Sequence, residues 1–139
     1  MTADRWLLDT AFAQALLNRR DQYHARAVAL LPRVRAAAEV WITEAVLVEI
    51  GNALSAAGRE AAARFITQCY HTPNLQVVSV DTELLARALD LYQSRPDKTW
   101  GLTDCISFVV MEEQRLTEAV TTDTHFVQAG YRALMLEDL

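Results

Sequence analysis

Residues 100–113 read WGLTDCISFVVMEE, a largely apolar stretch with one carboxylate, Asp104, near its start. From Ile106 to Met111 every residue except Ser107 is apolar, so we predict a helix that is buried nearly all round. A helix of this kind belongs to the centre of a fold. The acid at its beginning therefore calls for a partner or a function.

Short apolar runs alternate with helical stretches along the rest of the chain. We predict five strands, with the sequences RWLLD (5–9), VWIT (40–43), LQVVSV (75–80), EAVTTD (118–123) and RALMLE (132–137). Strands separated by helices pair in parallel. The pattern therefore predicts an α/β fold, a three-layer α/β/α sandwich with a central, mostly parallel five-stranded sheet.

Helix boundaries follow from capping residues and breakers. We expect Asp21, Thr43 and Asp81 to cap helix N-termini, Pro32 to bend the helix after Asp21, and Gly58 to stop the helix after Thr43.

Composition limits the class of protein. The 139 residues are 52% hydrophobic and 22% charged, which is typical of one compact domain over residues 1–139. Neither a secretory signal nor an uncharged 18-residue run is present, so we expect a cytoplasmic protein with no membrane partner. Cys69 and Cys105 lack metal-ligand spacing and are expected to be buried thiols. The net charge of -5 argues against a broad basic surface, although two divalent ions would reduce it to about -1.

Three acids follow or precede predicted strands at one edge of the sheet. Ligands of open parallel sheets bind beyond the carboxyl ends of the strands, where the strand order reverses. Asp9 ends the first strand and Asp123 ends the fourth, and Asp104 begins the helix before the fourth strand. If the first and fourth strands are neighbours, these carboxylates converge.

A fourth acid comes from the stretch TEAVLVEIGNALSAA (43–57). At 100° per residue, Glu49 lies on the flank of the apolar face, with Asn52 on the same side. Glu44 lies opposite and is expected to be solvated. Taken alone, each acid also has a simpler interpretation, as a helix cap for Asp9 or Asp123, a favourable dipole contact for Asp104, or a surface charge for Glu49.

Clustered carboxylates repel one another, so they take up protons or bind a cation. Oxygen ligands favour Mg²⁺ or Mn²⁺. The three histidines show no zinc-site spacing, and we interpret His24 and His71 as surface or packing residues. His125 lies close to Asp123, but capping or packing is the simpler interpretation.

Four motifs in order resemble the signatures of PIN-domain ribonucleases, most closely VapC-type toxins of toxin-antitoxin pairs. They are LLDTAF (7–12), TEAVLVEIGNAL (43–54), LTDCISFVVM (102–111) and AVTTDTHFVQAGY (119–131). The resemblance implies that Asp9, Glu49, Asp104 and Asp123 form a catalytic, metal-binding quartet. It also implies supporting polar residues, for which the candidates are Thr10, Asn52, Thr103, Ser107 and Thr122. Ala11 and Gly101 stand where family members often have Ser, which bears on the hydrogen-bond support of the site and on the loop before Asp104.

The resemblance further implies a function. It predicts metal-assisted hydrolysis of RNA at single-stranded or loop sites with Mg²⁺ or Mn²⁺ as cofactor, in a homodimer that an antitoxin protein silences. Trp41 and Trp100 are candidates for a partner surface, although core packing is commoner for Trp. Candidate phosphate contacts are Arg19, Arg20, Arg26, Arg95 and Lys98.

Other functions fit less well. A haloacid-dehalogenase-like phosphatase needs a second Asp two residues after the first, and Ala11 occupies that position. A receiver domain wants paired acids after the first strand, and Thr10 is not an acid. The main alternative is a catalytically inactive PIN-like domain that acts as an RNA- or protein-binding scaffold.

Overall fold

A computed structural model describes residues 2–137, in which strands and helices alternate. The strands are β1 (Arg5–Leu8), β2 (Glu39–Thr43), β3 (Leu75–Val78), β4 (Glu118–Val120) and β5 (Arg132–Ala133). The helices are α1 (Thr10–Leu17), α2 (His24–Ala36), α3 (Glu44–Ala53), α4 (Arg59–Cys69), α5 (Thr82–Ser94), α6 (Leu102–Gln114) and α7 (Thr124–Gln128), and a 3-10 turn covers Leu134–Leu136. Within this range no helix has both the length and the apolar character needed to cross a bilayer.

The five strands form one parallel sheet in the order β3-β2-β1-β4-β5. From β1 the chain adds β2 and β3 on one side and then returns to add β4 and β5 on the other side. The strand order therefore reverses between β1 and β4, which pair with Leu8 opposite Val120. The first and fourth strands are therefore neighbours, the condition under which the acids converge, and the crevice for a ligand lies beyond their carboxyl ends.

Two hydrophobic cores lie on the two faces of the sheet. Trp6 and Leu8 of β1 point into the core covered by α1 to α4, whereas Leu7 points into the core covered by α5 to α7. This alternation is the period of a strand buried on both faces. The predicted three-layer sandwich is confirmed, and its sheet is wholly parallel.

Helix α6 is buried as its sequence predicts. All residues from Cys105 to Met111 are buried, and Phe108 makes edge-to-face contacts with Trp100 and Phe126, at centroid distances of 5.1 and 4.9 Å. Such aromatic pairs are favourable beyond the area that they bury. Trp100 is thus a core residue and not a partner surface, and it fixes the loop that leads to Asp104.

Three boundaries differ from the prediction. Helix α2 begins at His24, because Asp21 Oδ1 accepts from the Tyr23 backbone N–H and forms a turn before the helix. Helix α3 ends at Ala53, and Gly58, with φ of 123°, instead precedes α4. Strand β5 stops at Ala133 because Leu134 and Met135 are both buried in the same core, which an alternating strand does not allow.

The other capping predictions agree with the structure. Thr43 Oγ1 accepts from the Val46 N–H at 3.2 Å, and Asp81 Oδ1 accepts from the Leu84 N–H at 2.8 Å. Each side chain satisfies a backbone donor that the first helical turn leaves free.

Removal of the Thr43 cap should destabilise the protein. We expect Thr43→Ala to lower the free energy of unfolding by about 1 kcal/mol, because the buried Val46 N–H loses its acceptor. Urea denaturation measures the change. Thr67→Ala, on the exposed side of α4, is the matched control and should leave stability within about 0.5 kcal/mol. Equal effects of the two substitutions would contradict this role of Thr43.

Candidate active site

Asp9 lies at the carboxyl end of β1, directly before α1. Its side chain is 5% exposed and makes no cap hydrogen bond to α1, so the simple capping interpretation does not hold for it. Instead Asp9 Oδ2 accepts from the Thr121 hydroxyl at 2.8 Å. A buried carboxylate that faces the neighbouring strand is placed for chemistry at the crevice.

Asp104 and Asp123 meet at the same edge of the sheet. Asp104 lies in the first turn of α6, where its Oδ2 accepts from the Gly101 backbone N–H at 3.1 Å. Asp123 precedes α7, and its Oδ1 accepts from the His125 backbone N–H at 2.9 Å. Both therefore make the capping contacts of the simpler interpretation, and each keeps a second oxygen that these contacts do not use.

His125 joins the two carboxylates. Its Nδ1 lies 3.0 Å from Asp104 Oδ2 and 3.3 Å from Asp123 Oδ1. One ligand atom from each of the three residues fits within a span of 4.8 Å, a grouping that could hold a metal ion. The ring of His125 therefore lies between the two acids, which adds a candidate role at the site to the capping or packing interpretation that the sequence favoured.

The electrostatics of the site reflect burial and like charge. Loss of solvation is the main cause that raises the pKa of Asp9 to about 7, partly opposed by the Thr121 hydrogen bond and increased by the charges of Asp104 and Asp123. Burial and then the charge of Asp123 raise the pKa of Asp104 as well, against the hydrogen bond from His125. The charges of Asp104 and Asp123 thus disfavour ionisation of Asp9, and the charge of Asp123 disfavours ionisation of Asp104.

Glu49 is not brought together with the other three acids. Its side chain is exposed and has no hydrogen bond or ion pair within residues 2–137. A cavity between α3 and α6 is lined by Ala45, Asn52 and Thr103, but Glu49 is not among its described lining residues. Its place in the quartet stays a prediction. Glu44 differs from our expectation, because it is half-buried and accepts from the Tyr70 hydroxyl at 2.6 Å.

Some polar residues around the acids are hydrogen-bonded to them, and others have buried hydroxyls that make no such bond. Thr121, which sequence reasoning missed in favour of Thr122, donates to Asp9 and accepts from the Asp123 backbone N–H at 3.0 Å. The signal was strand alternation, because Thr121 lies two residues before Asp123 and next to the residue that pairs with Leu8. Thr10 Oγ1 and Ser107 Oγ are buried and have no hydrogen-bond partner among residues 2–137.

The donor set fits a divalent cation. Converging carboxylates of raised pKa lose their mutual repulsion when a cation binds, and oxygen-rich ligands suit Mg²⁺ or Mn²⁺. The orphaned hydroxyls of Thr10 and Ser107 belong to the residue after Asp9 and to the helical turn after Asp104. Buried hydroxyls normally have a partner, so the pair is consistent with a polar occupant of the crevice.

The loop before Asp104 is tied to α7. The Thr99 hydroxyl lies 3.2 Å from His125 Nε2, and the Trp100 indole N–H donates to Gln128 Oε1 at 3.2 Å. Gly101 has extended backbone angles, φ of -74° and ψ of 165°, which other residues also adopt. A glycine in this loop could allow it to move, but the contacts of Thr99 with His125 and of Trp100 with Gln128 oppose such movement.

Comparisons with known proteins agree with the architecture. The family model described as PIN domain matches residues 6–130. Comparison with curated proteins gives no match. Among solved structures, Mycobacterium tuberculosis VapC20, a toxin that cleaves the sarcin-ricin loop, superposes with a TM-score of 0.81 and 24% identity, over 90% of this chain and 95% of VapC20. At this identity, the superposition shows a shared fold.

The raised pKa of Asp9 predicts a pH dependence of stability. Between about pH 4, the usual pKa of an Asp, and pH 7, the folded state binds more protons than the unfolded chain. The free energy of unfolding of metal-free protein should therefore fall as the pH rises through this range. Urea denaturation in EDTA at several pH values measures the slope, and Asp9→Asn should flatten it. An equally steep slope in the variant would show that Asp9 does not cause the effect.

Proposed function

The chain belongs to the PIN-domain family, and from this premise we propose that it is an Mg²⁺- or Mn²⁺-dependent endoribonuclease that hydrolyses RNA phosphodiester bonds. The observation that carries the proposal is the grouping of Asp104, Asp123 and His125 within 4.8 Å, beside the buried Asp9. The grouping lies where the strand order of the sheet reverses, at the position in which open parallel sheets bind their ligands.

We assign the metal to Asp9, Asp104 and Asp123, directly or through water. A bound Mg²⁺ or Mn²⁺ would supply Lewis acidity that activates a water molecule and stabilises negative charge on the phosphate. The protein's own contribution is to hold the acids rigidly. Asp9 is fixed by Thr121, and Asp104 is fixed by the Gly101 N–H and the buried body of α6.

Glu49 is proposed as the fourth acid of the site, to hold the metal or to orient the attacking water. The packing of α3 against α1 and α6 supports this, because α1 follows Asp9 directly and the first turn of α6 contains Asp104. The Glu49 carboxylate is exposed and has no hydrogen bond or ion pair within residues 2–137 that would hold it elsewhere.

An RNA substrate is supported by a cavity beside the metal site. The cavity, of about 390 Å³, lies against the loop before α6 and is lined by Tyr92, Arg95, Lys98 and Thr99, of which Thr99 contacts His125. Lys98 has no ion pair within residues 2–137, whereas Arg95 is paired with Asp97 at 3.0 Å. A cation and an aromatic ring in one cavity suit the phosphate and base of an unpaired nucleotide.

Other candidate phosphate contacts lose support. The Arg26 guanidinium donates to the carbonyls of Met135 and Glu137, so it has a structural role. Arg19 and Arg20 follow the eight-residue α1, which starts at the crevice, and therefore lie about 12 Å away from it along the helix axis.

We further propose that this nuclease, as one domain over residues 1–139, is the toxin of a type II toxin-antitoxin pair. Its shared fold with VapC20, a toxin, supports this, and an antitoxin protein would then be its partner in the cytoplasm. A homodimer is supported by Leu85 and Leu89, which are exposed four residues apart on one side of α5.

Addition of metal should stabilise the protein. Millimolar Mg²⁺ or Mn²⁺ at pH 7.5 relieves repulsion among the acids, and binding at 100 times Kd contributes about 2.7 kcal/mol. We expect a rise in Tm of roughly 4 °C or more by differential scanning calorimetry. Asp104→Asn should abolish most of the rise. An unchanged Tm in saturating metal would count against the metal site.

RNA cleavage should depend on the acids at the crevice. We expect Asp104→Asn to lower the rate of cleavage of a single-stranded RNA by at least about 100-fold. Loss of a residue that only supports a metal ligand already lowers metal affinity or activity by about 10- to 100-fold, and Asp104 is proposed as a ligand itself. The control is Glu44→Gln, which changes an acid of α3 that is bonded to Tyr70 and not to the site. This variant should retain nearly wild-type activity. A fluorescently labelled RNA in Mn²⁺ buffer measures both rates.

The scaffold alternative makes the opposite prediction. If purified protein in Mn²⁺ cleaves no RNA, and Asp9→Asn is as toxic on expression as the wild type, the domain acts by binding and not by hydrolysis. Circular dichroism of the variants separates loss of chemistry from loss of fold.

A further inference from the structure

We propose that His125 is a direct ligand of the catalytic cation through Nδ1, and that this nitrogen favours Mn²⁺ over Mg²⁺. The inference rests on the proposed function, since it concerns the same metal site. It adds an imidazole to a site whose other assigned ligands are carboxylates.

The spacing of the three ligand atoms supports direct coordination. In an octahedral site with bonds of about 2.1 Å, adjacent ligand atoms lie about 3.0 Å apart. His125 Nδ1 is 3.0 Å from Asp104 Oδ2 and 3.3 Å from Asp123 Oδ1. The nitrogen therefore lies at about the separation of an adjacent ligand from both carboxylates, and the three ligand atoms fit within a span of 4.8 Å.

The second nitrogen of the ring has the partner that a metal ligand needs. A coordinating histidine nearly always donates its other N–H to a nearby acceptor, which fixes the tautomer and the ring orientation. His125 Nε2 lies 3.2 Å from the Thr99 hydroxyl. With Nε2 protonated and donating to Thr99, the lone pair of Nδ1 faces Asp104 and Asp123.

The backbone around His125 holds the ring in place. The His125 N–H donates to Asp123 Oδ1, and the next residue, Phe126, is fully buried against Phe108 of α6. The His125 side chain is 26% exposed, so an ion from solvent can reach the nitrogen. The ligand is therefore both anchored and accessible.

The two candidate cations differ in their preference for a nitrogen ligand. First-row transition-metal ions, with Mn²⁺ the weakest of the series, accept an imidazole nitrogen more readily than Mg²⁺, which prefers oxygen and retains several waters. Replacement of His125 should therefore weaken Mn²⁺ binding more than Mg²⁺ binding.

Pulsed electron paramagnetic resonance of the Mn²⁺-loaded protein tests the proposal. A nitrogen bound to Mn²⁺ modulates the electron spin echo at ¹⁴N frequencies. We expect this modulation in the wild type and in His71→Gln, a control histidine on the surface, and we expect its loss in His125→Gln. Selective ¹⁵N labelling of histidine should replace the ¹⁴N pattern by ¹⁵N couplings in the wild-type protein, which needs no folded variant.

Titration calorimetry with each ion alone gives the second measurement. The Kd for Mn²⁺ should rise on the order of tenfold or more in His125→Gln, with a smaller rise for Mg²⁺. Tight Mn²⁺ binding with no nitrogen modulation, or modulation that survives in His125→Gln, would overturn the ligand role and leave the proposed nuclease intact. Absence of any Mn²⁺ binding at the site would overturn the metal-dependent function together with this inference.

Discussion

The parallel register between β1 and β4 is the constraint on which the site depends. With Leu8 opposite Val120, the next residues on the two strands are Asp9 and Thr121, and their side chains form a buried hydrogen bond of 2.8 Å. A slip of one residue would turn Thr121 to the other face of the sheet, away from Asp9. That slip would also move the strand's side chains from each hydrophobic core to the opposite one. The packing of both cores therefore fixes the register, and the register fixes the position of the Asp9 carboxylate.

Burial and charge oppose each other at this edge. The cores on both faces exclude water from Asp9 and partly from Asp104, and the same exclusion makes their negative charges costly. Hydrogen bonds from Thr121 and Gly101 offset some of that cost. A divalent cation would offset much more of it. The stability of the metal-free protein and its affinity for metal are therefore coupled. The buried negative charges that lower the stability of the metal-free protein are the charges that would favour binding of a cation.

Much of the architecture was predictable from local patterns. The ends of the predicted strands identify Asp9 and Asp123, and the apolar run of α6 identifies Asp104, because these positions follow from periodicity and from the ends of elements. The strand order that brings Asp9 and Asp123 together is a property of the whole sheet, which local patterns left open. His125 and Thr121 were not identified, since their roles depend on how α7 and β4 pack against other elements. Glu49 lies on the expected helix, but helical angles do not determine how far its flexible side chain reaches.

The length of β5 could also not be predicted from the sequence of its own segment. The apolar run 133–136 resembles a strand, yet Leu134 and Met135 are buried in the same core. Pairing of β5 with β4 stops at Ala133, although β4 itself continues to Val120. The chain turns inward there, and no pattern within the segment itself indicates this.

Helix α7 is only five residues long, yet its side chains hold both Thr99 and Trp100 of the connection between α5 and α6. That connection therefore cannot change its length without displacing His125 and, through it, Asp104. The turn between α3 and α4, which is exposed from Ser55 to Gly58, has no such attachment to the crevice. Among related chains, insertions should therefore be common in the turn between α3 and α4 and rare in the connection between α5 and α6. The length of the α5–α6 connection should be constrained by the site, and the length of the α3–α4 turn should not.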